Sequence, residues 1–194
     1  LLFHSKLRMG FRQRLGFYRP HEIPRKPGPT LWLHGASAGD VLALLPTAKA
    51  IRSSSPEATL VVSTLTNSGY EMAQRHRLAF NSIIFQPYDI PGPIIRTLNA
   101  VQPDILVLEY TELWPQLINA CKRSGIPVVL HNGRFSADGM GRYKALFRLM
   151  GNLVHPMHSL LMRDENQASR ARELGAIPNR VYVTGNTKFD NAHQ

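Results

Sequence analysis

From residue 30 onward the chain alternates short, nearly unbroken apolar runs with longer amphipathic stretches, and this alternation limits the fold more than any single motif. Strands are expected over 30–34, 59–64, 82–86, 104–109, 127–131, 159–162 and 180–183. Helices are expected between them, over 40–53, 68–77, 93–101, 114–123, 143–152 and 165–174. Leu106-Val107-Leu108 and Val128-Val129-Leu130 are apolar at every position, as strands covered on both faces are. Such strands, separated by helix-length segments, specify an α/β domain: an open Rossmann-like parallel sheet with crossover helices. The punctuation agrees. Gly125 follows Lys122 and Arg123, Gly175 follows Arg172, and Pro56, Pro103, Pro127 and Pro178 fall in connections or at strand starts.

With 194 residues, 43% hydrophobic and 19% charged, the chain suits a globular domain of ordinary size. The lone Cys121 excludes an internal disulfide and fits a reducing compartment. No apolar run is long enough to cross a bilayer. The chain opens on Leu1-Leu2-Phe3 rather than on Met, which reads as a trimmed chain or a fragment and leaves open an anchor upstream of residue 1.

The net charge of +10 is unevenly placed. Within residues 1–28, Lys6, Arg8, Arg12, Arg14, Arg19, Arg25 and Lys26 stand against Glu22 alone. Phe3, Leu7, Met9, Phe11, Leu15, Phe17 and Tyr18 interleave with those cations. Such a segment suits an anionic membrane surface, a solvated face packed on its own domain, or a nucleic acid. No zinc spacing, RNA-binding signature or helix-turn-helix pattern supports nucleic acid.

In an open parallel sheet, ligands bind beyond the carboxyl ends of the strands. The unusual polar residues gather there: 34–40, 63–69, 87–89, 109–115, 131–136 and 184–190. In the first of these, His34-Gly35-Ala36-Ser37-Ala38-Gly39-Asp40, a strand breaks into small residues and re-enters as a helix. Such a bend presents backbone N–H groups to a ligand. The helix dipole favours the ionised form of Asp40, making it available as a base. Taken alone, the same residues read as a capped helix, because Ser37 and Asp40 are both good caps. Thr66 offers a hydroxyl to a sugar or phosphate, or caps the next helix. Glu112 positions a ligand hydroxyl, or is a favourable charge near a helix N-terminus; Trp114 is a rigid wall, or core. Arg134 holds a phosphate or carboxylate, or makes a surface salt bridge. His34 reads as a satisfied core or capping histidine. No metal site is expected, since the single cysteine excludes thiolate clusters and His155 and His158 stand alone. There is no Walker loop, no G-x-G-x-x-G and no nucleophile elbow with triad partners.

In this order, the motifs resemble one family, the 3-deoxy-D-manno-octulosonic acid (Kdo) transferases of lipopolysaccharide synthesis, in their N-terminal domain. The resemblance runs through Arg14-Leu15-Gly16, His34…Ser37-Ala38-Gly39-Asp40, Thr64-Leu65-Thr66…Gly69 and Pro87-Tyr88-Asp89. It continues through Thr111-Glu112-Leu113-Trp114-Pro115 and Asn132-Gly133-Arg134-Phe135-Ser136 to Thr184-Gly185-Asn186-Thr187-Lys188-Phe189-Asp190. It implies the N-terminal half of a GT-B fold: a basic amphipathic segment over 1–28, an acceptor-binding domain over 29–190, and a donor domain lying outside this chain. It further implies transfer of Kdo from CMP-Kdo to a lipid A precursor, with inversion. Asp40 would be the general base, and Ser37, Gly39, Thr66, Glu112 and Arg134 would line the acceptor site. No cofactor is implied, and CMP-Kdo would sit mainly on the donor domain. The expected place is the cytoplasmic face of the bacterial inner membrane, peripheral or anchored upstream. The chain departs from the family pattern twice. Asp40 replaces a glutamate, and Tyr110 replaces the first acid of Glu-Thr-Glu. Those departures favour an alternative, a non-catalytic glycolipid- or membrane-binding module that retains the fold.

Overall fold

The computed structural model describes residues 9–24 and 27–187. A one-turn helix α1 (Phe11–Arg14) precedes seven strands and six longer helices in strict alternation. These are β1 (Thr30–His34), α2 (Ala38–Ser54), β2 (Thr59–Thr64), α3 (Asn67–Arg75), β3 (Ser82–Phe85), α4 (Pro91–Val101) and β4 (Ile105–Glu109). They continue as α5 (Pro115–Arg123), β5 (Val128–Gly133), α6 (Met140–Met150), β6 (Ser159–Met162), α7 (Glu165–Glu173) and β7 (Val181–Val183). The strands form one sheet of order β3-β2-β1-β4-β5-β6-β7, and every neighbouring pair is parallel. This is the Rossmann-like α/β sheet that the alternation specifies.

The two faces carry separate cores. Alternate side chains of each strand point to opposite faces, so Leu33, Leu60, Val62 and Val107 pack under Val41, Leu44 and Leu45 of α2 and Ala73 of α3. Trp32, Leu106, Leu108 and Leu130 face the other way, against Ile94 and Leu98 of α4, Leu117 and Ile118 of α5, and Ala168 of α7. The chain therefore leaves β1 toward one face and β4 toward the other. The β1–β4 boundary is the topological switch point, the place where open α/β sheets bind ligands beyond the carboxyl ends of their strands.

Expected and observed elements differ mainly at helix ends. The sixth helix begins at Met140 and stops at Gly151, whose φ of 81° lies in the left-handed region that glycine tolerates. Its N-terminal turn is continuous with a 3-10 turn over Ala137–Gly139, which the periodicity does not show.

Residues 9–24 dock on the domain. Arg14 is only 5% exposed; its guanidinium lies 4.6 Å from the centre of the Phe85 ring and donates to Leu65 O at 2.7 Å. Gln13 accepts from Phe85 N–H at 3.0 Å, and Tyr18 bonds Thr97 of α4 at 3.0 Å. Arg12 and Gln13 both donate to Glu22. Of the basic segment, Arg14 is thus internal, whereas Arg12 and Arg19 are exposed beside the exposed Met9, Phe11 and Phe17. Lys6, Arg8, Arg25 and Lys26 lie outside the described residues. No helix among the described residues is long and apolar enough to cross a membrane.

Candidate functional site

The carboxyl ends of β2, β1, β4 and β5 lie side by side, and their loops are tied to one another. From the β1–α2 bend, Ala36 O accepts from the N–H groups of Leu65 and Thr66 at 3.1 and 3.0 Å, and from the Thr64 hydroxyl at 3.0 Å. Thr66 bonds the same carbonyl at 3.2 Å and accepts from Gly69 N–H at 3.1 Å, so it caps α3 and joins two loops at once. Gly69 has to be glycine here: a Cβ would lie 2.0 Å from Thr64 Oγ1, so only a bare backbone lets α3 settle onto the bend.

Ser37 and Asp40 form a capping box at the start of α2. Asp40 Oδ2 accepts from Ser37 N–H at 3.0 Å and from the Ser37 hydroxyl at 2.7 Å. Its Oδ1 has no hydrogen-bond partner among the described residues, and the side chain is half-buried in the first turn with Gly39. Capping occupies Oδ2, so it does not by itself exclude a second role for this carboxylate.

Across the switch point, Glu112 brings Oε2 to 3.7 Å from Nε2 of His34, and its side chain is 26% exposed. The Trp114 ring stands edge-on to His34 with centroids 5.7 Å apart and packs, partly buried, against the core of that face. From the same loop, the Thr111 hydroxyl donates to the backbone carbonyl of Arg134 in the next one. The Arg134 side chain is exposed, and among the described residues no carboxylate pairs with it. Ser37, Gly39, Asp40, Thr66, Glu112 and Arg134 therefore all stand on four adjacent loops at one edge of the sheet. Among the described residues, no group of three or more His, Cys, Asp or Glu could hold a metal ion.

Several polar residues with defined roles escaped the sequence reading. Asp89, in the loop after β3, accepts from Gln116 and Leu117 N–H at 3.0 and 2.9 Å and so caps α5, whose own N-cap Trp114 makes no side-chain cap bond. Burial raises the Asp89 pKa above 3.8, while the two amides pull it down. Glu109, fully buried, accepts from His131 Nδ1 at 2.6 Å and Asn132 Nδ2 at 2.7 Å. His131 Nε2 reaches the Thr47 hydroxyl at 3.2 Å, and Asn132 bonds Thr187, which donates to Ala43 O at 2.9 Å. This network joins β4 and β5 to α2 and to the segment beyond β7. A strand-end Glu-Tyr and His-Asn was the available signal, because polar residues closing apolar strands on facing positions must find each other. Tyr110 takes a left-handed φ of 60°, and the Arg163 guanidinium lies 4.0 Å from the centre of its ring. An arginine so placed would suit the acid expected at this position, and its Nη2 is buried without a partner among the described residues. Lys188, Phe189 and Asp190 of the last motif lie outside the described residues.

A family model described as 3-deoxy-D-manno-octulosonic-acid transferase (kdotransferase) matches residues 9–191. The chain belongs to the Kdo transferase family. It is 35% identical over 187 residues to the 3-deoxy-D-manno-octulosonic acid transferase of Chlamydophila psittaci, covering 95% of this chain and 42% of the relative. It is 30% identical over 188 residues to the transferase of the same name from Haemophilus influenzae, covering 95% and 43%. The chain thus spans less than half the length of these transferases. The Neisseria meningitidis UDP-GlcNAc 2-epimerase bound to UDP-GlcNAc superposes with a TM-score of 0.61 at 13% identity, over 84% of this chain and 48% of the epimerase. That likeness shows the fold alone.

Proposed function

We propose that this chain is the acceptor-binding domain of a Kdo transferase, moving Kdo from CMP-Kdo to a lipid A precursor with inversion at the anomeric carbon. Asp40 is the general base: Oδ2 is fixed by Ser37, and Oδ1 is left to take the proton of the acceptor hydroxyl. The observation carrying this reading is the position of that carboxylate, in the first turn of α2 beside the β1–β4 switch point, with the Thr66, Glu112 and Arg134 loops adjoining it. Thr66 and Glu112 offer hydrogen-bond partners to sugar hydroxyls, and Arg134 offers a guanidinium to a phosphate. CMP-Kdo sits mainly on a donor domain outside this chain. The protein works at the cytoplasmic face of the bacterial inner membrane. The exposed Met9, Phe11, Arg12 and Arg19 favour contact with an anionic lipid surface, and together they line a concavity of about 520 Å³.

The test uses the full-length protein with CMP-Kdo and a lipid A precursor. Asp40→Asn keeps an acceptor for Ser37 but cannot act as a base, so kcat should fall on the order of 100-fold or more. The cap should survive, with stability changed by less than about 1 kcal/mol. Unchanged turnover in this variant would remove Asp40 from the role. The second reading, a glycolipid-binding module without catalysis, is favoured by Tyr110, which puts a ring where the family pattern has an acid. Binding of the lipid A precursor with no Kdo transfer by the wild-type protein would select it.

A further inference from the structure

His34 stands where the fold focuses ligands, yet the acceptor reading above assigns it no part. Its ring is fully buried and is held from one side. Nδ1 lies 2.9 Å from the Ser63 hydroxyl, which accepts from the Trp32 indole N–H at 2.8 Å and donates to Gln86 Oε1 at 3.0 Å. A serine hydroxyl has one proton and two lone pairs. With the proton directed to Gln86 and one lone pair taken by Trp32, the other lone pair must receive a proton from Nδ1. With the Gln86 amide in this orientation, which leaves its own Nε2 buried without a partner among the described residues, neutral His34 is the Nδ1–H tautomer and its Nε2 carries a bare lone pair; the reverse orientation would put the proton on Nε2.

That Nε2 is buried with no hydrogen-bond partner among the described residues, and it faces Glu112 Oε2 at 3.7 Å. With that tautomer, two acceptors confront each other with no donor between them. The neighbouring Trp114 ring also has its indole N–H buried without a partner. Native proteins rarely leave buried polar groups unmet, so each such atom calls for a partner.

We propose that His34 Nε2 and the Glu112 carboxylate form a hydroxyl-receiving subsite for a sugar-like ligand. Glu112, on a partly exposed loop, moves outward to meet one ligand hydroxyl, and this opens Nε2 to accept a second. The inference rests on the reading of this crevice as the acceptor site. It adds a residue whose ring atoms divide cleanly, Nδ1 for the fold and Nε2 for the ligand.

Two substitutions separate those nitrogens. In His34→Asn the side-chain amide takes the place of Nδ1, keeping the bond to Ser63 and leaving nothing at Nε2. In His34→Gln the amide reaches the Nε2 position. Assayed in the full-length protein with CMP-Kdo and a lipid A precursor, His34→Asn should raise the acceptor KM on the order of tenfold, with kcat within about twofold. His34→Gln should recover most of that loss. A wild-type KM in His34→Asn, with the defect in His34→Gln instead, would mean that only the Ser63 bond matters and would overturn the proposal.

Imidazole nitrogen NMR on this chain provides a readout apart from turnover. Without ligand, His34 should show a protonated Nδ1 and a bare Nε2, and a phosphorylated glucosamine disaccharide should shift the Nε2 resonance. A protonated Nε2, which turning over the Gln86 amide would produce, overturns the proposal, as does an Nε2 resonance unmoved by the disaccharide. Should the resonance shift while Asp40→Asn leaves turnover intact, the reading of Asp40 fails and the subsite stands.

Discussion

Glu109 closes β4 with its carboxylate buried on the α2 face, both oxygens taken by His131 and Asn132. Glu112, in the loop that follows, places a partly exposed carboxylate against His34 on the other side of the sheet. The chemical group is the same, and the surroundings assign it opposite work. A carboxylate met by two donors in the interior holds elements together, because removing it strands the donors. A partly exposed carboxylate with no hydrogen-bond donor in reach among the described residues has capacity left for a ligand. Partners distinguish the two acids more sharply than burial does.

The largest effect that would sharpen this contrast is on stability. Glu109→Ala should cost about 3 kcal/mol, since His131 and Asn132 both lose a buried acceptor. Glu112→Ala should cost less than about 1 kcal/mol, as expected for a partly exposed group without a donor. Urea unfolding followed by circular dichroism measures both, and equal losses would break the comparison. On activity the order reverses for the folded proteins: Glu112→Gln should raise the acceptor KM on the order of tenfold while leaving the urea midpoint in place. A smaller effect is expected at the loops that carry the site. Thr66→Ala removes the cap on Gly69 N–H and should cost about 1 kcal/mol.

The smallest effect is a pH dependence away from the crevice. Burial opposes the charge on Glu22, but the Arg19 N–H, Gln13 and Arg12 outweigh it and hold the carboxyl below its ordinary 4.5. An acid whose folded pKa is depressed contributes stability that is present above the unfolded value and lost as pH falls through the folded one. Glu22→Gln should therefore flatten the loss of stability below pH 4.5 and narrow its gap to wild type on acidification. Urea midpoints at neutral pH and near about pH 3 would show it, and parallel profiles would deny Glu22 that role.

Much of the fold was legible in the residues. The runs at 30–34, 59–64 and 159–162 are strands at their expected ends, because short apolar segments between turn residues leave little choice of register. The site was legible as a set of loops: once the strands are parallel, residues that follow each strand must collect on one edge. Less legible were contacts made at a distance along the chain. Asp89 caps a helix that begins beyond the next strand, and Arg14 is stacked inside the domain although its neighbours suggested a surface cation. Local spacing carries no information about such partners.

The sequence by itself determined the order of the elements and which polar residues would reach the carboxyl edge. Periodicity and chain direction are local properties, and they propagate through a parallel sheet without further instruction. Only the tertiary structure decided that β1 and β4 would be neighbours, that Glu109 would meet donors, and that Glu112 would come beside Nε2 of His34. Those outcomes depend on which strands pair and which face each helix covers, and they arise only when distant segments bury their apolar surfaces together.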